Sequence, residues 1–479
     1  MSLVGGEGVK VRVRFVTSHD AYRVTDAPFV LPQKLGRYGL SEVVNHLLGS
    51  SEPQPFDFSI QGVLLRSQLK TFLQTHRVSL EEIVTIDYYP ALSLSEEAEV
   101  LDTPAWVGSL TCAIAGTVIA GCYDGSVQIG EWSGVRDGGG LTSVFAHPQG
   151  QPIRAVAAWR GGGGGGGGQP LTAAGEAGLA YLATASKDLT VKLWTLGDAG
   201  GGSRGKGGKA AGKQAAASTS MSMHQVAELT GHINSVESVR LWGERSVLLS
   251  GDWAGNVFGW NLSQLGSWGQ ADDAQSKKKM KTGTNVVGGS KPTLREVKSA
   301  FIVRAHSQAV SCICVVDQQG QGSSRVLTSS WDHSIKEWDM NTQNCIATVV
   351  SNKVVTGMSV GGENGGTVLT SHPDGKTRLW DLRTSSAGGT GECRSIYASS
   401  TAQWVSDVAW HPSNDKVFAA ADYAGIVRIW DTRSSTAPLG STEAHDGKAL
   451  CCAWDMDVEG NASILSGGSD CRISAHAFA

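Results

Sequence analysis

Residues 326–339, with the sequence VLTSSWDHSIKEWD, contain the pattern that decides the fold. An apolar run is followed by a polar turn at Asp332 and by a second run that ends in Trp338 and Asp339. Two such runs separated by a short turn predict a pair of antiparallel strands. Similar stretches end at Trp194, Trp260, Trp380 and Trp430.

Two degenerate copies bring the number of copies to seven. In one, Gly130 stands six residues after Asp124, where tryptophan is expected, and in the other His476 stands six residues after Asp470. In the five clear copies, the position six residues before the tryptophan is occupied by Asp188, Ala254, Asp332, Asp374 and Ala424.

Upstream of several copies lie a histidine and then a strand-like run that ends in tryptophan, as in residues 236–242. Repeats of about 40–45 residues with Gly-His and Trp-Asp marks are the signature of WD40 repeats, each forming one four-stranded blade of a β-propeller. We expect the repeated Ser, His, Asp and Trp side chains to form a hydrogen-bonded brace between strands. The predicted structural marks are His147, Asp188, Trp194, His232, Trp260, His306, Asp332, Trp338, Asp374, Trp380, Trp430, His445 and Asp470.

The two ends of the repeat region predict how the ring closes. The chain stops at Ala479, three residues after the third strand of the last copy. The outer strand of that blade must therefore come from residues 99–103, before the first copy. Closing the ring in this way removes two exposed strand edges.

The propeller is expected to span residues 99–479 and to contain low-complexity inserts at about 160–178, 197–223 and 264–298. Such segments cannot bury enough apolar surface to offset their chain entropy, so we expect mobile loops there and a flexible N-terminus at residues 1–8. The third insert contains a basic cluster of Lys277, Lys278, Lys279 and Lys281. This cluster is a candidate for nuclear import or RNA contact, and a merely solvated loop explains it equally well.

Residues 9–95 predict a small separate domain. Val9 to Phe15 alternate like a strand, and a second extended stretch runs from about Tyr22 to Val30. Leu40 to Leu48 show helical spacing, with Gly49 as a C-cap. Residues 56–65 then predict a hairpin, and residues 84–88 a last strand. The order is that of an α+β ubiquitin-like, or β-grasp, fold, preceding an all-β seven-bladed propeller.

A short helical turn is expected at residues 79–83, before the last strand. Ser79 and Glu82 have the spacing of a capping box, which gives Glu82 a structural role. Glu81 has no such role and is expected to project outward.

Composition excludes several functional classes. The net charge of −4 is too balanced to indicate nucleic-acid binding by bulk charge, and no apolar run approaches the ~20 residues of a membrane helix. The nine cysteines include no C-x-x-C pair, so a zinc site is unsupported. The recurring Ser, His and Asp fit a propeller brace better than a hydrolase triad. We therefore expect no enzyme, no cofactor and no metal bound by this chain alone.

Three stretches of the N-terminal module are similar to a known family: RYGLSEVVNHLLGS (37–50), FDF (56–58) and LLR (64–66). WVGSL (106–110), at the start of the first blade, fits as well. Together with the seven repeats, they make the chain resemble the WD-repeat subunit of the pescadillo–block-of-proliferation complex, a family of eukaryotic ribosome-assembly factors with an N-terminal Notchless-like (NLE) domain.

The resemblance implies a function and partners. The family acts on the precursor of the large (60S) subunit, in the nucleolus and nucleoplasm, and is needed to process 27S pre-rRNA to 25S/28S and 5.8S rRNA. Its propeller docks on the block-of-proliferation WD-repeat protein, whose complex includes pescadillo. Midasin, an AAA ATPase, grips the NLE domain through a Mg²⁺ ion that an acidic side chain of the domain helps to coordinate. By position, that residue is Glu81, with Glu82 as the second choice.

A second hypothesis is a substrate receptor of a cullin-based ubiquitin ligase. Trp380–Arg383 and Trp430–Arg433 resemble the W-D-x-R box that binds the adaptor of such ligases. Arginine after Trp-Asp is also frequent in WD repeats generally. Direct rRNA contact by the lysine-bearing loops is a third hypothesis, compatible with the first.

Overall fold

The computed structural model describes residues 9–49, 54–91, 99–114, 116–131, 141–160, 180–198, 221–242, 246–265, 295–316, 325–340, 342–361, 365–382, 392–398, 402–435, 437–456 and 461–478. The chain divides into two compact units, one built mainly from the N-terminal residues and the other mainly from the repeats. Residues 1–8, the lysines at 277–281 and most of the three predicted inserts lie outside the described residues.

The N-terminal unit is a five-stranded sheet with two helices. Its elements are β1 (Lys10–Val16), β2 (Phe29–Pro32), α1 (Arg37–Leu48), β3 (Phe56–Ile60), β4 (Val63–Leu64), α2 (Leu69–Thr75) and β5 (Val84–Pro90). The strand order is β2-β1-β5-β3-β4, with β1 and β5 parallel and the other pairs antiparallel. This arrangement confirms the predicted β-grasp fold.

Alternating burial along the strands produces one core. Val11, Val13 and Phe15 of β1 are buried, and Leu40 and Val44 cover them from α1. The helix ends at a glycine with φ of 66°, so the predicted C-cap is confirmed.

The short second helix lies earlier in the chain than predicted. Residues 79–83 form an irregular segment with bends at 80–82 rather than a helical turn, whereas α2 occupies Leu69–Thr75. Leu69, Phe72 and Leu73, at positions i, i+3 and i+4, are buried. The helix forms there because that spacing places three large apolar side chains on the core side.

The second strand is shorter than predicted. Residues Asp20–Tyr22 form a 3₁₀ turn, and β2 begins only at Phe29. The Tyr88 hydroxyl donates a 2.5 Å hydrogen bond to the Tyr22 carbonyl and accepts one of 3.0 Å from the Val24 N–H. Tyr22 is therefore fixed by a side chain rather than by strand pairing.

The repeats form seven sheets, the blades of a propeller. Blade 1 consists of β7 (Val107–Ile114), β8 (Thr117–Cys122), β9 (Ser126–Glu131) and β10 (Thr142–Phe145). Blade 2 consists of β11 (Ile153–Arg160), β12 (Ala180–Ser186), β13 (Val191–Asp198) and β14 (Met221–Leu229). Blade 3 consists of β15 (Val236–Trp242), β16 (Val247–Asp252), β17 (Asn256–Asn261) and β19 (Phe301–Arg304). Blades 4 and 5 consist of β20 (Val310–Val316), β21 (Arg325–Ser330), β22 (Ser334–Asp339) and β23 (Asn344–Val350); and β24 (Gly357–Gly361), β25 (Thr367–Ser371), β26 (Lys376–Asp381) and β27 (Glu392–Ala398). Blades 6 and 7 consist of β28 (Val405–Trp410), β29 (Val417–Asp422), β30 (Ile426–Asp431) and β31 (Gly440–Glu443); and β32 (Ala449–Met456), β33 (Ala462–Gly468), β34 (Arg472–Phe478) and β6 (Glu99–Asp102).

The first strand of each blade contacts the first strands of both neighbouring blades, so the seven sheets close into a ring. The seventh blade is completed by β6, which pairs antiparallel with β34 in the register Ile473 to Leu101. The predicted closing strand is thus confirmed. Gly130 pairs with Val118 in the same register in which Trp338 pairs with Val326, which confirms the equivalence of the degenerate first copy.

The ends of the predicted inserts belong to strands. Residues 197–198 extend β13, residues 221–223 begin β14, and Arg295–Val297 form β18. β18 lies parallel to β14, as a fifth strand of blade 2. The sequence gives no sign of this pairing, because a three-residue strand far along the chain has no pattern of its own.

Candidate functional site

The loop that contains Glu81 joins α2 to β5. After the helix, Arg77 takes a left-handed conformation with φ of 51°, and the Val78 N–H donates a hydrogen bond of 3.0 Å to the Leu73 carbonyl. The chain is reversed in this way, and residues 79–83 follow as an irregular segment. Because both flanking elements are packed into the core, the loop is anchored at its two ends.

Glu81 and Glu82 both face solvent. The preceding Leu80 is 51 % exposed. The predicted capping box is wrong: there is no helix, and the Ser79 hydroxyl accepts a 3.4 Å hydrogen bond from the N–H of Glu81 rather than from Glu82. Within the part of the chain that the structure describes, neither carboxylate has a hydrogen-bond or ion-pair partner. The loop therefore presents two free carboxylates beside an exposed leucine.

A buried carboxylate joins the three N-terminal stretches that resemble the family. The side chain of Asp57 is 3 % exposed, and it lies 2.6 Å from Arg37 Nε and 3.5 Å from Arg66 Nη1. A buried charge that loses its partner is strongly destabilising. These residues therefore hold α1, β3 and the segment after β4 together, and their role is structural.

Blade 4 shows the predicted brace in full. His306 Nδ1 lies 3.0 Å from Asp332 Oδ2, and His306 Nε2 lies 2.8 Å from Thr328 Oγ1. Trp338 Nε1 donates to the same hydroxyl oxygen at 2.8 Å. The arrangement fits a neutral imidazole that donates from Nδ1 to the carboxylate and accepts the hydroxyl proton on Nε2.

Three further blades repeat this brace. Its members are His147, Thr184, Asp188 and Trp194 in blade 2, His232, Ser250, Asp252 and Trp260 in blade 3, and His445, Ser466 and Asp470 in blade 7, where His476 occupies the tryptophan position. The hydrogen bonds tie each blade's connecting loops to its second and third strands.

In blades 3 and 6 the carboxylate lies two residues before the predicted position. Asp252 and Asp422 lie two residues before the alanines at the expected position, and each accepts backbone hydrogen bonds from the following turn. Asp422 also pairs with Arg428, a buried arginine on the third strand. The shared sequence D-[WY]-A-G, with aspartate eight residues before tryptophan, is the signal that identifies this variant.

In blade 5 the place of the upstream histidine is taken by His372, which directly follows the blade's second strand. His372 Nε2 lies 2.7 Å from Thr370 Oγ1, to which Trp380 Nε1 donates at 2.8 Å. Asp374 instead forms a bidentate pair with Arg378. The Thr-Trp half of the brace is thus kept, while the aspartate has another partner.

Burial and hydrogen bonding shift the pKa values in the braces. Burial raises the pKa of Asp332, but hydrogen bonds, chiefly from Ser334, outweigh this effect and lower it to about 2. Burial lowers the pKa of His306 and His445, and lowers that of His372 to about 4. At neutral pH the brace of blade 4 therefore combines a neutral His306 with an ionised Asp332.

The brace has the hydrogen-bond order of a catalytic triad, from hydroxyl to imidazole to carboxylate. However, Thr328 and Ser250 have no exposed surface, and each hydroxyl oxygen already accepts a tryptophan N–H. A substrate cannot reach these hydroxyls while the blade is folded, so the braces act structurally.

The remaining predicted features, the lysine cluster and the arginines after Trp-Asp, either lie outside the described residues or have partners within the protein. Lys277, Lys278, Lys279, Lys281 and Arg383 lie outside the described residues, and the Arg433 guanidinium is bound to Asp431 at 2.6 and 2.9 Å. No group of three or more His, Cys, Asp or Glu side chains among the described residues is placed to hold a metal ion. Within the same residues, no helix has the length and apolar character needed to cross a membrane.

Comparison with known families matches both parts of this architecture. The model of the NLE (NUC135) domain matches residues 11–73, and that of the WD domain, G-beta repeat, matches residues 297–339 and 391–431. The chain therefore contains an N-terminal NLE domain and WD40 repeats.

Relatives that match nearly the whole chain are named ribosome biogenesis proteins. The Ribosome biogenesis protein WDR12 homolog of Chlamydomonas reinhardtii is 29% identical over 98% of this chain and 97% of its own. The WDR12 homolog of Oryza sativa subsp. japonica is 28% identical over 97% and 95%, and the Ribosome biogenesis protein YTM1 of Eremothecium gossypii is 25% identical over 97% and 96%. The predicted resemblance is confirmed at this level.

Proposed function

We propose that this protein is a non-catalytic assembly factor for the large ribosomal subunit, active in the nucleolus and nucleoplasm. The observation that supports this most strongly is the similarity, across both units, to relatives named ribosome biogenesis proteins. The burial of the triad-like hydroxyls supports the non-catalytic part, because the repeated polar groups are consumed in holding the blades together.

The propeller is proposed to dock on the block-of-proliferation WD-repeat protein and, through it, on pescadillo and the pre-60S particle. In this role the protein acts in the processing of 27S pre-rRNA to 25S/28S and 5.8S rRNA. A closed ring of seven blades supports the proposal, since it presents a large rigid surface whose shape does not depend on a ligand.

The NLE domain is proposed to be the handle by which midasin removes the complex. Mg²⁺ prefers oxygen ligands in near-octahedral geometry, so one carboxylate from a partner protein can complete its coordination. Glu81 fits this role because it is exposed, lacks an intramolecular partner among the described residues and lies on a loop anchored at both ends. Glu82 has the same properties and is the second candidate.

Purification of the tagged full-length chain from nuclear extract tests the proposal. We expect the block-of-proliferation protein, pescadillo and 27S pre-rRNA to co-purify. Cullin and its adaptor in place of these components would contradict the proposal and favour the ubiquitin-ligase hypothesis. Of the two arginines of that hypothesis, the structure describes Arg433, and its guanidinium is bound to the neighbouring Asp431 rather than free for an adaptor.

A further inference from the structure

An exposed serine lies in the loop between α2 and β5. Residues 79–82 are four consecutive exposed residues of an irregular segment. Ser79 Oγ accepts a 3.4 Å hydrogen bond from the Glu81 N–H, and the Ser79 hydroxyl donates to no acceptor within the described part of the chain. The hydroxyl proton is therefore not engaged in the fold, and the side chain is open to solvent.

Two carboxylates follow this serine at short, fixed spacings. Glu81 and Glu82 lie two and three residues after Ser79, and both are exposed. A serine followed three residues later by a carboxylate is a pattern that acidophilic serine/threonine kinases recognise, because basic side chains in their substrate cleft pair with that carboxylate. The spacing of Ser79 and Glu82, which caps no helix in this fold, has the form of such a recognition site.

Exposure distinguishes Ser79 from the other described residues with this spacing. Five further serines or threonines among the described residues have Asp or Glu at the third following position: Thr17, Thr195, Ser329, Ser334 and Ser371. Four of them are buried, and Thr195 is a half-buried residue within strand β13. Within the part of the chain that the structure describes, Ser79 alone combines this spacing with exposure.

The loop can enter the cleft of a kinase with little unfolding. Kinases bind the residues around the target hydroxyl as an extended segment. The pairing of β5 with β1 begins only at Val84, opposite Val13, and the backbone hydrogen bond that precedes the segment joins the Val78 N–H to the Leu73 carbonyl. Residues 79–82 therefore need to break few contacts to become extended, and such a segment opens at a low cost in free energy.

We propose that Ser79 is a phosphorylation site for an acidophilic serine/threonine kinase, and that its phosphate weakens the hold of a partner's Mg²⁺ on Glu81. In the transfer, Ser79 Oγ forms a bond to the γ-phosphorus of ATP, while the bond from that phosphorus to the bridging oxygen breaks and ADP leaves. The hydroxyl proton passes to the catalytic aspartate of the kinase. The site follows from the loop itself, whereas the effect on Mg²⁺ rests on the proposed function.

The phosphate changes the chemistry of the loop at the point where Glu81 is proposed to act. A phosphoserine carries a charge of about −1.5 to −2 at pH 7 and three strong acceptor oxygens. Because Ser79 Oγ lies within hydrogen-bond distance of the Glu81 N–H, the phosphate is placed next to this residue. Phosphate and carboxylate oxygens are both ligands for Mg²⁺, so the phosphate competes with Glu81 for the position that one carboxylate is proposed to fill.

Phosphorylation of the full-length chain in vitro tests the site. The chain is incubated with ATP and either casein kinase 2, which is acidophilic, or protein kinase A, which prefers basic residues. Peptide mass spectrometry locates the phosphate, because serines outside the described residues, such as Ser93 with Glu96, have the same spacing. Ser79→Ala removes the acceptor and Glu82→Gln removes the carboxylate. Ser67→Ala, at an exposed serine with lysine at the third following position, is the matched control.

We expect casein kinase 2, and not protein kinase A, to phosphorylate Ser79 in the native chain and in Ser67→Ala. Glu82→Gln should slow this phosphorylation about tenfold, because the kinase loses an ion pair with its substrate. Absence of phosphate on Ser79, or phosphorylation of Glu82→Gln at the native rate, would overturn the proposed site.

Binding to the midasin adhesion domain tests the effect of the phosphate. Calorimetry with Mg²⁺ compares the phosphorylated native chain, the same chain after phosphatase treatment, and kinase-treated Ser79→Ala. We expect the Ser79 phosphate to weaken binding about tenfold or more, with recovery after phosphatase treatment and no change in Ser79→Ala. Equal or tighter binding of the phosphorylated chain would overturn the effect on Mg²⁺. Absence of binding by the unmodified chain would overturn the role of Glu81 and this effect together, while phosphate on Ser79 would still establish the modification site.

Discussion

Replacement of Asp332 by alanine is expected to destabilise the propeller through the brace of blade 4. The carboxylate accepts hydrogen bonds from the N–H and hydroxyl of Ser334 at 3.0 and 2.6 Å, from the N–H of Ser307 at 3.0 Å and from His306 Nδ1. The substitution removes all of them and leaves the fully buried His306 with fewer partners.

The size of the effect follows from these contacts. A hydrogen bond to a charged group contributes about 1.5–3 kcal/mol, and bonds in one network are not additive. Ser307 is exposed and can be hydrated after the change, whereas the imidazole cannot. We therefore expect the free energy of unfolding to fall by about 3 kcal/mol.

Urea unfolding followed by tryptophan fluorescence measures this loss. All 15 tryptophans lie between residues 106 and 454, so the fluorescence signal reports the repeat region and not residues 9–95. Asp415→Ala, at an exposed position in a loop of blade 6, is the matched control and should change stability by less than about 0.5 kcal/mol.

The pH dependence gives a second test of the same brace. The pKa of Asp332 is lowered from 3.8 to about 2, so its ionised form stabilises the fold above pH 3.8, and this contribution is lost as the pH falls from 3.8 toward 2. The difference between the native chain and Asp332→Ala should shrink over that interval. An Asp332→Ala protein as stable as the Asp415→Ala control at pH 7 would refute the brace.

Three further predictions concern other parts of the fold. Gly255→Ala should lower the free energy of unfolding in urea by more than about 2 kcal/mol, because φ is +89° and a Cβ would lie 2.2 Å from the His306 carbonyl oxygen. The control Gly116→Ala, with φ of +71° and open space around it, should lower it by only about 1 kcal/mol. Equal losses in the two variants would contradict the close contact at Gly255. Leu101 lies on the closing strand and packs against the core, so Leu101→Asp should lower the free energy of unfolding by about 2 kcal/mol. The control Val100→Asp changes an exposed side chain and should not lower it. Equal melting temperatures of the two variants would argue against closure of the ring by β6. Burial lowers the pKa of His372 and His411 to about 4, so the free energy of unfolding should fall as the pH drops from 6.5 toward 4. Burial raises the pKa of Asp407 to about 6, which opposes this trend. His372→Gln should therefore flatten the slope of the unfolding free energy against pH.

The fold was predictable because its signals are local and repeated. A strand, a short turn and a strand ending in tryptophan recur five times, and this repetition makes even the two degenerate copies, at Gly130 and His476, recognisable. The closing strand followed from topology, since a final blade with three strands leaves an edge that only the segment before the first copy can cover.

The elements that the sequence predicts wrongly or not at all depend on contacts between distant segments, which a local pattern does not contain. The capping-box spacing of Ser79 and Glu82 occurs in a loop, whereas α2 at 69–75 forms because it covers the core. Strand β18 pairs in parallel with a segment 68 residues earlier, Ala227 with Arg295, and no property of its three residues predicts that partner.

The loop between α2 and β5 shows a different limit. The exposure of Glu81 could be anticipated, since no structural role is predicted for it. The equal exposure of Glu82 could not, because its spacing from Ser79 predicts a helix cap that the structure lacks.

Binding of the purified full-length chain to the midasin adhesion domain tests the proposed role of Glu81 as the ligand to the partner's Mg²⁺. The native chain, Glu81→Ala, Glu81→Asp and Glu82→Ala are compared by calorimetry with Mg²⁺ and with EDTA. We expect Mg²⁺-dependent binding that Glu81→Ala abolishes and Glu82→Ala retains, with the propeller's docking unchanged in both. Binding by Glu81→Ala equal to that of the native chain, or binding that persists in EDTA, would contradict it.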